Sequence, residues 1–335
     1  MLFMRRLGWF RTQVGAKIRR TRSPDVRTSF AGSAFVGFYC SWVSVVNIPA
    51  LVALQQLVAS STHIVARSVA QAVPATTVVF YRGVFSVCAY AVWIWFVQRQ
   101  RLGGTFQWRD WWRFALLGLV NMPLNQYLFV AGLRYTTAPN AALAFALSPV
   151  FVLVLASVFL GERLRWHAIM GIALAVLGAV IVAFQRGASL RSEVTVGNLM
   201  ELAASCAWAF YTVWGRPLVQ RYGAVPTTAF GMLWGLGLFM PVAALVPGGL
   251  LPPDAISPRQ WGEIAYLGIV TSGVGWALWY VLLRQIEASR LAVFNNLQPI
   301  LTVILSWLAF GEVPPPAFWI GGAIALAGVL LAQRT

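Results

Sequence analysis

The chain has 335 residues; 59% are apolar, only 10% are charged, and the mean hydropathy is +0.72. A soluble domain carries roughly 25% charged residues, so this composition excludes an ordinary cytosolic enzyme, a disordered chain and a disulfide scaffold. The net charge of +16 is concentrated, with eight of 25 basic residues before residue 30; it reads as charge holding a segment on the cytoplasmic side of a membrane, with no nucleic-acid partner.

Residues 1–44 form a basic N-terminal tail. Phe30–Trp42 is apolar but too short, and too rich in Gly and Ser, to span a bilayer. The tail is either a disordered extension or lies ahead of a native start near Val45 or Val46. Ten apolar runs follow, each near the ~20 residues that cross ~30 Å of hydrocarbon. They are Val45–Ala66, Thr76–Val97, Trp112–Leu133, Ala138–Leu160, His167–Phe184, Val196–Trp214, Thr228–Val246, Trp261–Leu283, Leu291–Phe310 and Ala317–Ala332. The expected fold class is an all-α integral membrane protein with ten transmembrane helices. The loops are too short for a soluble catalytic domain, and the continuous runs do not alternate as barrel strands do. Cys40, in the Phe30–Trp42 stretch, and Cys88 and Cys206, in the spans, all sit in apolar surroundings and read as packed thiols.

With the amino terminus inside, 19 of the 25 basic residues fall on the cytoplasmic side. Both termini are therefore expected in the cytoplasm of a multi-pass plasma (inner) membrane protein.

The chain repeats itself. Leu147-Ser148-Pro149-Val150 matches Leu297-Gln298-Pro299-Ile300, and Gly161-Glu162 matches Gly311-Glu312 at the same offset. Leu133-Arg134 pairs with Leu283-Arg284, and Gly118, Gly171 and Gly178 with Gly268, Gly321 and Gly328. Upstream, Ala72-Val73-Pro74 matches Ala224-Val225-Pro226. Such a run of pairs marks a duplication, dividing the chain into repeats at 45–184 and 195–333. Five spans per half, an odd number, invert the second half relative to the first. Inverted repeats are the architecture of alternating access, which points to a secondary transporter; a channel-like facilitator for a small polar solute is the alternative.

These residues carry a family resemblance. Phe80-Tyr81-Arg82, the Pro149 and Pro299 segments, Gly161-Glu162, Gly311-Glu312 and Ala207-Trp208-Ala209-Phe210-Tyr211, in this order, resemble a ten-span member of the drug/metabolite transporter superfamily with two EamA-like domains. The resemblance implies a plasma-membrane permease, often an exporter of amino acids or other small metabolites. In the first half, Gln56 stands where the family usually has the Trp that Trp208 supplies.

A polar side chain in a membrane helix belongs on the bundle interior, so helical spacing nominates the pathway. Gln56, Ser60 and His63 share one face of the first span, Asn121 and Asn125 one face of the third, and Glu201, Ser205, Trp208 and Thr212 one face of the sixth. Thr271, Trp276 and Tyr280 mark the eighth span, and Asn295, Asn296 and Gln298 the ninth. Arg82 suits a substrate carboxylate, a place near the outer headgroups or a pairing with Glu201. Glu201, the one acid well inside a span, is a candidate proton carrier, a carboxylate in a wet vestibule or the partner of an Arg; His63 is a structural donor or a second proton site. Glu162 and Glu312 read as structural, and Pro149 and Pro299 as interruptions that free carbonyls mid-span. The Gly171/Gly178 and Gly321/Gly328 pairs permit close helix contact, within one chain or in a homodimer. No zinc motif, nucleophile elbow or phosphate loop is present, and two His make a metal centre poor chemistry. The chain reads as a non-enzyme without cofactor, its partners being membrane lipids and a small metabolite, with proton coupling open.

Overall fold

A computed structural model describes residues 48–97, 107–159, 166–183, 193–246, 249–311 and 313–332. The basic tail, Cys40, Glu162 and Glu312 lie outside the described residues. Among those described, the chain is helical and contains no strand.

In chain order the rods are α1 (Ile48–Ala70), α2 (Ala75–Val97), α3 (Trp108–Gly132), α4 (Ala138–Phe159), α5 (Trp166–Ala183), α6 (Glu193–Tyr222), α7 (Ala224–Leu245), α8 (Pro258–Gln285), α9 (residues 288–310) and α10 (Pro316–Ala332). Six of them, α1, α2, α3, α4, α7 and α8, are long and apolar enough to cross a membrane. Local chemistry sets the ends. Thr137 caps α4 by accepting from the Asn140 amide, with Pro139 in the first turn. Ser257 and Gln260 form a capping box at α8, with Pro258 at its start. Gly223, at φ 90°, lets α6 turn into α7 within one residue, and Gly311, at φ 65°, closes α9.

The halves repeat each other's irregularities. Both third helices widen into π turns, at Val120–Gln126 in α3 and Tyr266–Gly275 in α8. Both fourth helices break before their proline, at Leu147 in α4 and through the tight Val293–Leu297 turn in α9. Pro149 and Pro299 therefore open a new helical segment, where the missing N–H has no intrahelical partner to lose, and do not interrupt a continuous helix. The interruption expected at the prolines lies a few residues upstream.

The packing is also two-fold. The α3–α7 contact is answered by α8–α2, α6–α4 by α1–α9, and α6–α3 by α1–α8, while α5 packs on its own counterpart α10. A Cβ on Gly178 would collide with the backbone of Gly321 and Ala325, and one on Gly328 with that of Gly171 and Ala175. Partner numbers rise along one helix as they fall along the other, so α5 and α10 run antiparallel at backbone contact. The glycine pairs thus close a contact inside the chain.

The ends are clamped in the same pattern. At the start of α3, the buried Asp110 takes Arg113 at 3.1 Å, Arg221 at 2.9 Å and the Tyr222 hydroxyl at 2.6 Å, the last two from the end of α6. At the start of α8, Glu263 accepts from Ser68 near the end of α1 at 2.8 Å and from Arg259 at 3.2 Å. Cys88 and Cys206 correct the packed-thiol reading: both are exposed on the outside of α2 and α6. An apolar helix has two apolar faces in a membrane protein, and these thiols occupy the outer one.

Gly178→Val is expected to destabilise the protein by roughly 1–3 kcal/mol through overpacking against α10. Gly237→Ala, whose new methyl meets nothing within 4 Å, serves as the neutral comparison. Thermal unfolding in detergent reads both; equal unfolding temperatures would show that α5 and α10 are not held at backbone contact.

Candidate functional site

Between the two halves lies a cavity of about 60 Å³, walled by side chains from α1, α2, α3, α4, α6, α8 and α9. Of the residues expected on the pathway, His63, Arg82, Asn125, Trp208, Thr271, Trp276 and Gln298 line it. Gln56, Ser60, Asn121, Glu201 and Asn295 are buried but stand outside the lining.

Arg82 is the strongest charge in this wall. It projects from α2, is 2% exposed, and is held by the wide turn of α8. Its Nε donates to Ser272 Oγ at 2.7 Å and its Nη2 to Thr271 Oγ1 at 3.3 Å. Thr271 spends its own proton on the Leu267 carbonyl at 2.6 Å, leaving lone pairs for the guanidinium. A π turn loosens the carbonyl ladder, and the Tyr90 hydroxyl reaches the carbonyls of Ser272 and Gly273 at 2.8 and 2.7 Å. Arg82 Nη1 is buried without a partner, and no carboxylate pairs with this guanidinium among the described residues. The pairing with Glu201 raised as an alternative is absent. The Arg82 guanidinium lies 5.9 Å from the Trp276 ring centre, a cation–π distance.

An aromatic wall stands beside it. Trp208 lies 5.2 Å from Trp276, 5.4 Å from Trp279 and 5.5 Å from Tyr211, with Tyr211 stacked on Tyr280 at 4.9 Å. Thr212 accepts from Trp279 Nε1 at 3.2 Å, and Tyr280 donates to the Tyr211 carbonyl at 3.1 Å. Thr212 and Tyr280 therefore fasten α6 to α8 rather than facing the cavity.

On the other flank, amides join α1, α4 and α9. Asn295 Oδ1 accepts from Gln56 Nε2 at 3.3 Å and Gln298 Nε2 at 3.1 Å, and Asn295 Nδ2 donates to Ser148 at 2.7 Å. Gln56 also donates to Gln55 at 2.8 Å. His63 Nε2 meets Gln298 Oε1 at 3.2 Å, its ring edge-on to Phe129 and Phe145 at 5.2 and 5.5 Å.

In α3, Asn125 lines the cavity and donates to the Ala204 carbonyl at 2.8 Å. Asn121 instead accepts from Gln126 and donates to Met232 Sδ of α7. Glu201 is fully buried, and neither oxygen has a hydrogen-bond partner. One oxygen lies 2.8 Å from where a Gly132 Cβ would stand, so the glycine makes room for the carboxyl. The Arg pairing raised as an alternative is absent among the described residues.

Sequence spacing missed Gln55, Thr62, Phe129 and Phe145 in the lining, and Ser272 behind Arg82. Gln55 and Thr62 are seven apart, two helical turns, and Phe129 follows Asn125 by four, so the periodicity held that signal.

Known proteins agree with this architecture. The model of the EamA-like transporter family matches residues 47–184 and again 195–333. A probable terminal-alkyne amino-acid exporter of Streptantibioticus cattleyicolor is 35% identical over 68% of this chain and 74% of its own length. An uncharacterized transporter of Bacillus subtilis is 30% identical over 66% of this chain and 72% of its own, and a biotin transporter of Salmonella typhimurium 26% over 66% and 73%. A solved crystal structure, 20% identical, aligns with a TM-score of 0.63 over 85% of this chain and 96% of that one, a likeness of fold alone. Matched by one family model across both halves, the chain belongs to the EamA-like transporters of the drug/metabolite transporter superfamily, and is a multi-pass membrane transporter rather than an enzyme.

Proposed function

We propose that the protein is a secondary-active exporter of small metabolites bearing a carboxylate, such as amino acids, and that it works by alternating access between two inverted five-helix repeats in the plasma membrane. The observation that carries this reading is Arg82: a buried guanidinium lining the cavity between the halves, with one nitrogen unpartnered and no acid paired with it among the described residues. A buried charge is costly unless it is paired. A carboxylate entering the cavity supplies the missing charge and the missing acceptor together. The Trp208–Trp276 wall offers an apolar face to the rest of the ligand. The names of the relatives point the same way, since amino acids and biotin each carry a carboxylate.

The two-fold contact pattern and the antiparallel α5–α10 pair support the inversion. In this reading all ten rods cross the membrane and both termini face the cytoplasm. Glu201 supports coupling to protons: an enclosed carboxyl without a partner changes its proton when alternation opens it to water.

Reconstituted proteoliposomes test the site. Arg82→Gln is expected to raise KM for counterflow of an amino acid about ten- to a hundredfold, the loss of a charged hydrogen bond worth roughly 1.5–3 kcal/mol, with Arg82→Lys intermediate because it keeps charge but not the planar fork. Unchanged counterflow in Arg82→Gln would sink the carboxylate reading, and a pathway with no counterflow at all would be a channel.

Two further experiments bear on mechanism. Glu201→Gln is expected to abolish accumulation driven by a pH gradient; undiminished accumulation removes Glu201 from the coupling. Arg109 and Arg259 are equivalent in the repeat, and both are exposed. Cysteines placed there should label from opposite sides of the bilayer, and labelling from the same side contradicts the inversion.

A further inference from the structure

The cavity holds a second unpartnered polar atom whose chemistry complements that of Arg82. His63 Nδ1 is buried, belongs to a side chain that lines the cavity, and has no hydrogen-bond partner. The amide network assigns its proton. Gln298 commits its nitrogen to Asn295 Oδ1 at 3.1 Å, an oxygen that also receives Gln56, while Asn295 directs its own nitrogen to Ser148. The Gln298 oxygen is thereby left facing His63 Nε2 at 3.2 Å. A carboxamide oxygen can only accept, so Nε2 carries the hydrogen, and Nδ1 presents a lone pair. Phe129 and Phe145 flank the ring and supply no donor to it. Arg82 thus lacks an acceptor and His63 lacks a donor, in one cavity.

We infer that His63 Nδ1 accepts a hydrogen bond from the ammonium group of an α-amino acid whose carboxylate lies on Arg82, so that the site selects α-amino acids over carboxylic acids without the amine. This rests on the carboxylate reading above and narrows it. The ammonium N–H groups satisfy the free lone pair, and the aromatic rings around the cavity favour a cation near their faces. A carboxylic acid lacking the amine fills the Arg82 end and leaves Nδ1 buried and unpaired. Sites built to bond a polar group discriminate against ligands missing it for this reason. Gln298, Asn295 and Gln56 are then positioning residues, holding the imidazole in the form that accepts.

The test pairs each amino acid with its desamino counterpart: radiolabelled L-phenylalanine with hydrocinnamate, and L-norvaline with valerate, in proteoliposome counterflow. Wild type is expected to prefer the amine-bearing member at least about tenfold, the scale of one unsatisfied buried group. His63→Leu should bring that ratio near unity, with exchange of the desamino acid as the internal measure of folded protein. His63→Gln, which still offers an acceptor, should keep part of the preference. Arg82-dependent exchange of both members without amine preference in wild type, or with the same preference in His63→Leu, overturns the inference and leaves the carboxylate reading standing. Exchange of neither member overturns both.

Discussion

Placing a guanidinium deep in an apolar bundle constrains everything packed around it. Arg82 is always charged, and removing its hydration costs several kcal/mol unless the protein returns hydrogen bonds. Here the return comes from two hydroxyls, Ser272 and Thr271, brought within reach by a widened turn of α8. The widening loosens backbone bonds in turn, and the Tyr90 hydroxyl reaches two of the carbonyls concerned. Each accommodation demands the next, and the sequence of α2 and α8 is shaped by that chain. What the described residues leave open is one guanidinium nitrogen and a counter-charge, which in the carboxylate reading proposed above the ligand supplies.

The backbone is nearly symmetric while the side chains are not. Both third helices widen, both fourth helices break, and the glycines of α5 and α10 interlock as mirror positions of one repeat. Duplication supplies the scaffold. Yet Gln56 of α1 corresponds to Trp208 of α6, and Ser148 of α4 to Gln298 of α9. One flank of the cavity is consequently an amide network and the other an aromatic wall. A symmetric bundle can rock about its pseudo-axis, while an asymmetric lining can grip a ligand with distinct ends.

Much of this was legible in the sequence because a membrane removes ambiguity: a long apolar run has few alternatives to a helix, and a polar residue within it must turn inward. The helices, the repeat and the burial of Arg82, Glu201, His63 and Asn295 follow from that. What hid was facing at the irregular turns. Asn121 and Asn125, four apart, share a face only if the helix holds 3.6 residues per turn. Across the π turn Asn121 bonds instead to Gln126, five residues on, and leaves the lining to Asn125. Gln55, which spacing did not single out, sits beside Gln56, and the adjacent amides divide the work, Gln55 taking the lining and Gln56 the link to α9. Pairing was equally invisible. Nothing in one dimension shows that Glu201 lies against Gly132 rather than an arginine.

The two flanks also differ in what it costs to part them. The α6–α8 flank is a stack of Trp208, Tyr211, Trp276, Trp279 and Tyr280, and separating it exposes large ring area that water does not repay. The α1–α9 flank is held across its polar centre by Gln56, Asn295, Gln298 and His63, whose hydrogen bonds can be exchanged for bonds to water as it enters. For the alternating access proposed above, an amide seam facing a packed aromatic body offers the bundle a place to yield and a place to hold. Because the histidine belongs to the seam, opening it also releases the contact that fixes the ring. Under the roles proposed above, the residues that recognise a ligand and those that close around it are, on this flank, the same.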